Sequence, residues 1–205
     1  MTMNKPKLTI VSDEEPNADG RVRRSERSRQ KIIDAVIILV EGGNMDPSAQ
    51  EVASEANVGL RSVFRHFDDM DSLYSDVIAQ KEQEIMPIIF APYESSDWRA
   101  QLNERIDRRV MIYERFRHLL IFGRIRRYKS VVMNHDVNRA SKLQRSQLKE
   151  VLPKDIGTDK ILFEALDVMT SFDAFRKLRE MNGLSVKRVT EVMKDAVWRL
   201  IGDQG

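Results

Sequence analysis

Apolar residues in this chain return at steps of three and four, the period of one helix face, and no stretch alternates as a half-buried strand does. That periodicity predicts an all-α fold. Ile32, Ala35, Val36 and Leu39 form one apolar stripe on a helix from residue 25 or 28 to residue 41, with a basic first turn. Gly42 and Gly43 stop it. In Asp46-Pro47-Ser48, either Ser48 or Asp46 is placed to cap a second, short helix carrying Val52, Ala53 and Ala56 on one side. That helix ends at Asn57, a residue that tolerates the left-handed backbone of a tight turn. A third short helix, about residues 60–67, is expected to turn Val63, Phe64 and Phe67 inward.

Asp68 and Asp69 precede a fourth helix with Leu73, Val77 and Ile78 at helical spacing, which Pro87 should end or kink. Pro92 and Glu94-Ser95-Ser96 mark a boundary, after which Asp97 or Ser96 caps a long helix through Trp98, Leu102, Ile106, Val110 and Tyr113. Gly123 is a candidate interruption. Pro153 and Gly157 close the segment containing Leu143 and Leu148, and Gly183 separates two last helices, about 159–181 and 185–201. The expected divisions are a disordered arm at 1–20, a three-helix unit at 21–69, a connecting helix at 70–90 and a larger helical unit at 95–205.

Composition removes several functions. With 32% charged and 41% hydrophobic residues in 205, and no apolar run near the ~20 residues of a membrane span, the chain is expected in the cytoplasm with no membrane partner. The first residues lack the apolar core of a secretory signal. The absence of cysteine excludes disulfides, thiolate nucleophiles and cysteine zinc sites, and fits a reducing compartment. The three histidines, His66, His118 and His135, stand in no Glu-x-x-His arrangement, and no phosphate loop, nucleophile elbow or dinucleotide fingerprint occurs. No catalytic residue, metal ligand or cofactor is therefore assigned. The net charge of +2 says little, but its distribution is uneven. Arg21, Arg23, Arg24, Arg27, Arg29 and Lys31 face only Glu26 across one run, and Arg124, Arg126, Arg127 and Lys129 form another. Taken singly, each run reads equally as a solvated helix face.

Two short helices can present the second one to a DNA groove only under strict geometric demands. The first needs a small residue at the crossing, the turn needs a residue at ease with positive φ, and the second needs an apolar anchor behind its polar face. Ala53, Asn57 and Val63 meet these demands, leaving Arg61, Ser62, Arg65 and His66 outward. The run Gln50-Glu51-Val52-Ala53-Ser54-Glu55-Ala56-Asn57-Val58-Gly59-Leu60-Arg61-Ser62-Val63-Phe64-Arg65-His66-Phe67, followed by Asp69, Asp71 and Leu73, resembles the signature of TetR family repressors. The likeness extends back over residues 32–43. A weaker one lies in Ser171-Phe172-Asp173-Ala174-Phe175, Leu178-Arg179 and Gly183-Leu184-Ser185, similar to the final two helices of some members. Three positions depart from the pattern: Gly59 for a capping Ser or Thr, Phe64 for a Tyr, and Met70 for a Lys.

The resemblance implies an N-terminal helix-turn-helix domain followed by a ligand-binding and dimerisation domain. It makes the third helix the recognition helix, with Arg61 and Ser62 near base edges, Arg65 and His66 on bases or phosphates, and Ser48, Gln50 and Leu60 beside them. Arg21, Arg23 and Arg24 would reach phosphates or a minor groove from a flexible arm. With nine basic and ten acidic residues between 21 and 81, binding must come from one face and be salt-sensitive. By the same resemblance the last two helices pair with those of a second copy. Leu162, Ala165, Leu166 and Met169, with Val189, Val192, Met193 and Val197, are the expected homodimer contacts, and intramolecular core is the competing reading.

Between the helices from Trp98 to Phe163, Tyr113, Phe116, His118, Phe122, Tyr128 and Met133 are candidates to line a pocket for a small-molecule effector, with ordinary core as the alternative. Glu114 and His118, one turn apart, read as a surface or core pair. The expected function is a ligand-responsive repressor that binds a palindromic operator in double-stranded DNA as a dimer. Its alternatives are an activator of the same fold, a helical protein adaptor, and a helical metal-carboxylate enzyme.

Overall fold

The computed structural model describes residues 16–202, and within it every regular element is helical. These are α1 (Pro16–Glu41), α2 (Ala49–Glu55), α3 (Leu60–His66), α4 (Met70–Ile89), α5 (Trp98–Arg115), α6 (Arg117–Arg126), α7 (Val131–Val151), α8 (Lys154–Thr158), α9 (Lys160–Met169), α10 (Phe172–Arg176) and α11 (Val186–Ile201). α10 runs on through a π-helical turn, Lys177–Met181, before Gly183 reverses the chain at φ 67°.

Caps set most of the boundaries. Ser48, not Asp46, begins α2; its side chain accepts from the Glu51 backbone N–H while the Glu51 carboxylate accepts from the Ser48 N–H at 2.7 Å. Asp69 and Ser72 repeat this reciprocal pair at α4, and Asp97 caps α5 by accepting from Ala100 at 2.9 Å. α1 begins earlier than the periodicity indicates. Residues 16–20, expected in the arm, form its first turns, with Pro16 at a position where its missing N–H costs nothing; residues 1–15 of that arm lie outside the described residues. The added turns expose residues 21–27, so they carry no apolar stripe to detect. Gly123 does not interrupt α6; it is buried against Val137 and Met133 of α7. Pro87 falls in the last turn of α4, which closes at Ile89.

Two buried clusters organise the chain. The first joins Ile32, Val36 and Val40 of α1 to Val52, Ala53, Val63, Phe67, Leu73, Tyr74 and Val77. The second fills the body with Leu102, Ile106, Tyr113, Leu148, Phe172 and Phe175, among others. Phe122 and Met133 belong to the first cluster although they lie far along the chain, so α6 and α7 reach from the body into the N-terminal unit. The body cluster also takes Leu166, Val189, Met193 and Val197, all without exposed surface. This corrects their expected place on a dimer interface: α9 and α11 pack against each other and α11 against α5, so their inner stripes are used within one chain. Leu162, Ala165, Met169 and Val192 keep partial exposure.

Candidate nucleic-acid interface

α2 and α3 are joined by Ala56–Gly59, and Asn57 takes φ 53° there, the one non-glycine residue with positive φ among those described. The turn closes as Val58 donates to the Ala53 carbonyl at 3.0 Å, and Ala53 is buried at the crossing, where a larger side chain would force the helices apart. Gly59 caps α3 by backbone alone. A seven-residue helix has little stability of its own, so α3 depends on its anchors. Val63 and Phe67, one turn apart, are buried in the N-terminal cluster, and the Arg29 guanidinium lies 4.9 Å over the Phe67 ring while pairing with Asp76 of α4.

Phe64 does not share that inward face. It is 50% exposed, because on so short a helix Val63 and Phe67 already occupy the buried stripe and Phe64 lies about 100° away from Val63. It stands instead one turn from Leu60, which is 40% exposed, and the outward face of α3 is Leu60, Arg61, Phe64 and Arg65. Two cations thus alternate with two apolar side chains. Ser62 is half-buried at the edge. His66 turns Nε2 into the protein, where it has no hydrogen-bond partner, and burial followed by the charges of Arg65 and Arg29 lowers its pKa. With Nε2 turned inward, His66 is only partly exposed beside the outward face of α3, where a contact with bases or phosphates was expected of it. Ser48 holds its hydroxyl against the Glu51 carboxylate at 2.6 Å, while Gln50 is exposed on the first turn of α2. Arg21, Arg23 and Arg24 are exposed, on a helix where an arm was expected, and Arg24 donates to the Gly20 carbonyl at 3.2 Å.

The second basic run is divided among separate tasks. Arg126 reaches from the end of α6 to Asp46, lies 4.5 Å over the Tyr74 ring and comes within 3.7 Å of Asp71. Lys129 donates to the same Asp46 at 2.8 Å, a hydrogen bond that is the first cause holding the Asp46 carboxyl below its ordinary pKa. Tyr74, whose ring meets Phe122 edge-on at 5.0 Å, donates its hydroxyl to the Pro47 carbonyl at 2.7 Å, and burial pushes its pKa up to about 12. These contacts fasten the segment before α2 to α4 and α6. Arg127 donates to Asn134 and Asn138, and Arg124 lies 4.4 Å over Phe172.

A cavity of about 460 Å³ lies among α4, α5, α6, α7 and α9. Of the six pocket candidates, Tyr113 and Met133 are part of its lining and the other four are not. Tyr128 is 86% exposed, Phe122 is sealed in the N-terminal cluster, and Phe116 with His118 borders a separate concavity of about 180 Å³ near Val40. Glu114 pairs with Arg179 and Arg117 rather than with His118. Sequence reasoning missed Arg105 and Arg109, buried on the cavity wall. Their only signal was a cation at a helical spacing shared with Leu102, Ile106 and Tyr113. Among the described residues no group of three or more histidines and carboxylates could hold a metal ion, and no helix is long and apolar enough to cross a membrane.

No family model and no curated protein matches the sequence. Among solved structures, the chain is similar to a transcriptional regulator from Rhodococcus sp. RHA1, with a TM-score of 0.67 at 17% identity over 86% of this chain and 95% of that one. It is also similar to a TetR-like transcriptional regulator from Rhodococcus sp. RHA1, with a TM-score of 0.64 at 14% identity over 86% of this chain and 97% of that one. With a helix-turn-helix in α2 and α3 and a helical body behind it, the chain has the fold of the TetR-like transcriptional regulators.

Proposed function

We propose that the chain is a sequence-specific DNA-binding transcriptional regulator and not an enzyme, with α3 as its recognition helix. The observation that carries this is the outward face of α3, where Arg61 and Arg65 stand beside Leu60 and Phe64 on a helix locked from behind by Val63 and Phe67. Arginine donates a bidentate pair to guanine, and exposed apolar side chains suit the thymine methyl group, so this face has the chemistry to distinguish base pairs. The cations of α1 would add phosphate contacts, with Arg24, Arg27 and Lys31 following one another at helical steps.

A dimer on a palindromic operator suits this arrangement, because one short helix offers too few base contacts to hold a site alone. The exposed apolar residues Ile161 and Val168 of α9 and Leu200 of α11, with Ala165, Val192 and Ala196 between them, support a pairing surface on the outer side of these helices. The cavity between α4 and α7 is the effector site in this reading, and α6 connects it to the reader: Leu120, Gly123 and Arg124 face the cavity while Arg126 holds Asp46. Binding that shifts α6 would move α2 and α3 and release DNA, making the chain a repressor of genes in the cytoplasm.

Genome-wide mapping of bound DNA should return short sequences with two-fold symmetry. Deleting the gene should raise reporter output from those promoters; a fall would mean activation, and a map without shared sequence would remove the regulator reading.

A further inference from the structure

Arg105 and Arg109 lie one turn apart on α5, each 5% exposed, and both line the cavity. Their donors go to neutral oxygens. Arg105 donates to the Gln147 side chain at 3.2 Å and to the Gln144 carbonyl at 2.7 Å. Arg109 donates to the Thr170 carbonyl at 3.1 Å and to the same Gln144 carbonyl at 2.7 Å. Two guanidiniums therefore converge on one oxygen, and the Nε of each is buried without a partner. Burial first, and then the charge of Arg109, lower the Arg105 pKa to about 10.

No carboxylate answers them. The cavity wall carries Glu82, Asp136, Asp167 and Asp173, and each already has a cation: Arg139 takes Glu82 and Asp136, Arg145 takes Asp167, and Arg124 stands 3.5 Å from Asp173. The other titratable groups beside the pair, Tyr93 and Tyr113, are phenols and not carboxylates. Buried charge is normally paired, so two adjacent cations facing an open volume form an incomplete arrangement. Besides these charged groups the lining has hydrocarbon side chains, Ile85 and Met86 of α4, Ile112 of α5, Leu120 of α6, and Met133 and Val137 of α7. A volume of about 460 Å³ is within the range that small-molecule sites occupy.

We propose that the cavity binds an amphipathic organic carboxylate, its headgroup seated between Arg105 and Arg109 and its apolar body along α4, α6 and α7. This rests on the reading of the cavity as an effector site and names the chemistry of what enters. The two oxygens of a carboxylate match two guanidinium edges, supply the missing charge to both and relieve their repulsion. A cationic ligand would add to the positive charge already there, and a neutral one would leave the pair without a counter-charge.

Isothermal titration of the full chain at pH 7, without DNA, tests this with three probes of one tail length: decanoate, decanol and decyltrimethylammonium. Decanoate should bind one per chain, at least about tenfold tighter than decanol, with no binding of the ammonium. Arg105→Met should weaken decanoate at least about tenfold while decanol stays within about threefold, which also reports that the cavity has kept its shape. Decanol binding as tightly as decanoate would overturn the carboxylate and leave the cavity as a ligand site. No heat from decanoate at millimolar concentration, or Arg105→Met binding it like the parent, would overturn the proposal outright. The DNA map is read separately, so its failure removes the regulator reading without touching this result.

Discussion

The two cores of this chain are built on opposite terms. The N-terminal cluster is built of aliphatic and aromatic side chains, takes Arg29 and Arg126 over its Phe67 and Tyr74 rings with carboxylate partners at hand, and stiffens a helix too short to stand alone. The body buries two arginines beside a cavity, where their partners among the described residues are oxygens of Gln144, Gln147 and Thr170. A filled core gives rigidity, which a reading head needs; a core with a void and unanswered charge leaves free energy for a ligand to recover. Tyr74, Phe122 and Arg126 form the seam through which one region can act on the other.

The contrast breaks most readily at the anchors. Phe67→Ala should cost about 3–5 kcal/mol of folding stability by leaving a cavity behind α3 and removing the ring beneath Arg29, read by denaturant unfolding. A loss below about 1 kcal/mol would mean that the reader is not tightly packed. On the outer face of the same helix, Arg61→Ala should leave stability within about 0.5 kcal/mol but cost about 1–3 kcal/mol of operator affinity, separating fold from recognition. In the body, Arg105→Met should change stability by no more than about 1 kcal/mol in either direction, since a buried charge without a carboxylate contributes little net; a loss like that of Phe67→Ala would make this arginine a structural keystone. The smallest effect belongs to the seam. Asp46 is half exposed, so Asp46→Asn should cost only about 0.2–1 kcal/mol at pH 7 and low salt. The sign with pH follows from its lowered folded pKa: the contribution is present above the unfolded value near 3.9 and disappears as pH falls through the folded one, so parent and variant should converge in acid.

The legible parts of this molecule were those where local geometry and burial agree. Ala53, Asn57 and Val63 prescribe the helix-turn-helix because each answers a backbone or packing demand within a few residues, and the caps at Ser48, Asp69 and Asp97 are local in the same sense. Periodicity alone fails where a helix has more apolar residues than faces to bury. Phe64 was assigned inward beside Val63, yet only the tertiary fit of α3 decides which of two adjacent residues enters the core. The same limit misplaced Leu166, Val189, Met193 and Val197, since an apolar stripe does not say whether its partner is the same chain or a second copy. The cavity was the least legible feature. Arg105 and Arg109 look like solvated cations in sequence, and their burial depends on Gln144 and Thr170, 35 and 61 residues beyond Arg109.

The central claim is that the outward face of α3 reads bases. Its most direct test is a gel-shift titration of parent, Arg61→Ala and Arg65→Ala against a mapped operator and a scrambled duplex at one fixed salt concentration. The parent should prefer the operator by at least about 10³-fold. Arg61→Ala should lose about 10- to 100-fold on the operator and almost nothing on the scrambled duplex. If both variants hold the operator as tightly and as selectively as the parent, α3 is not the recognition helix.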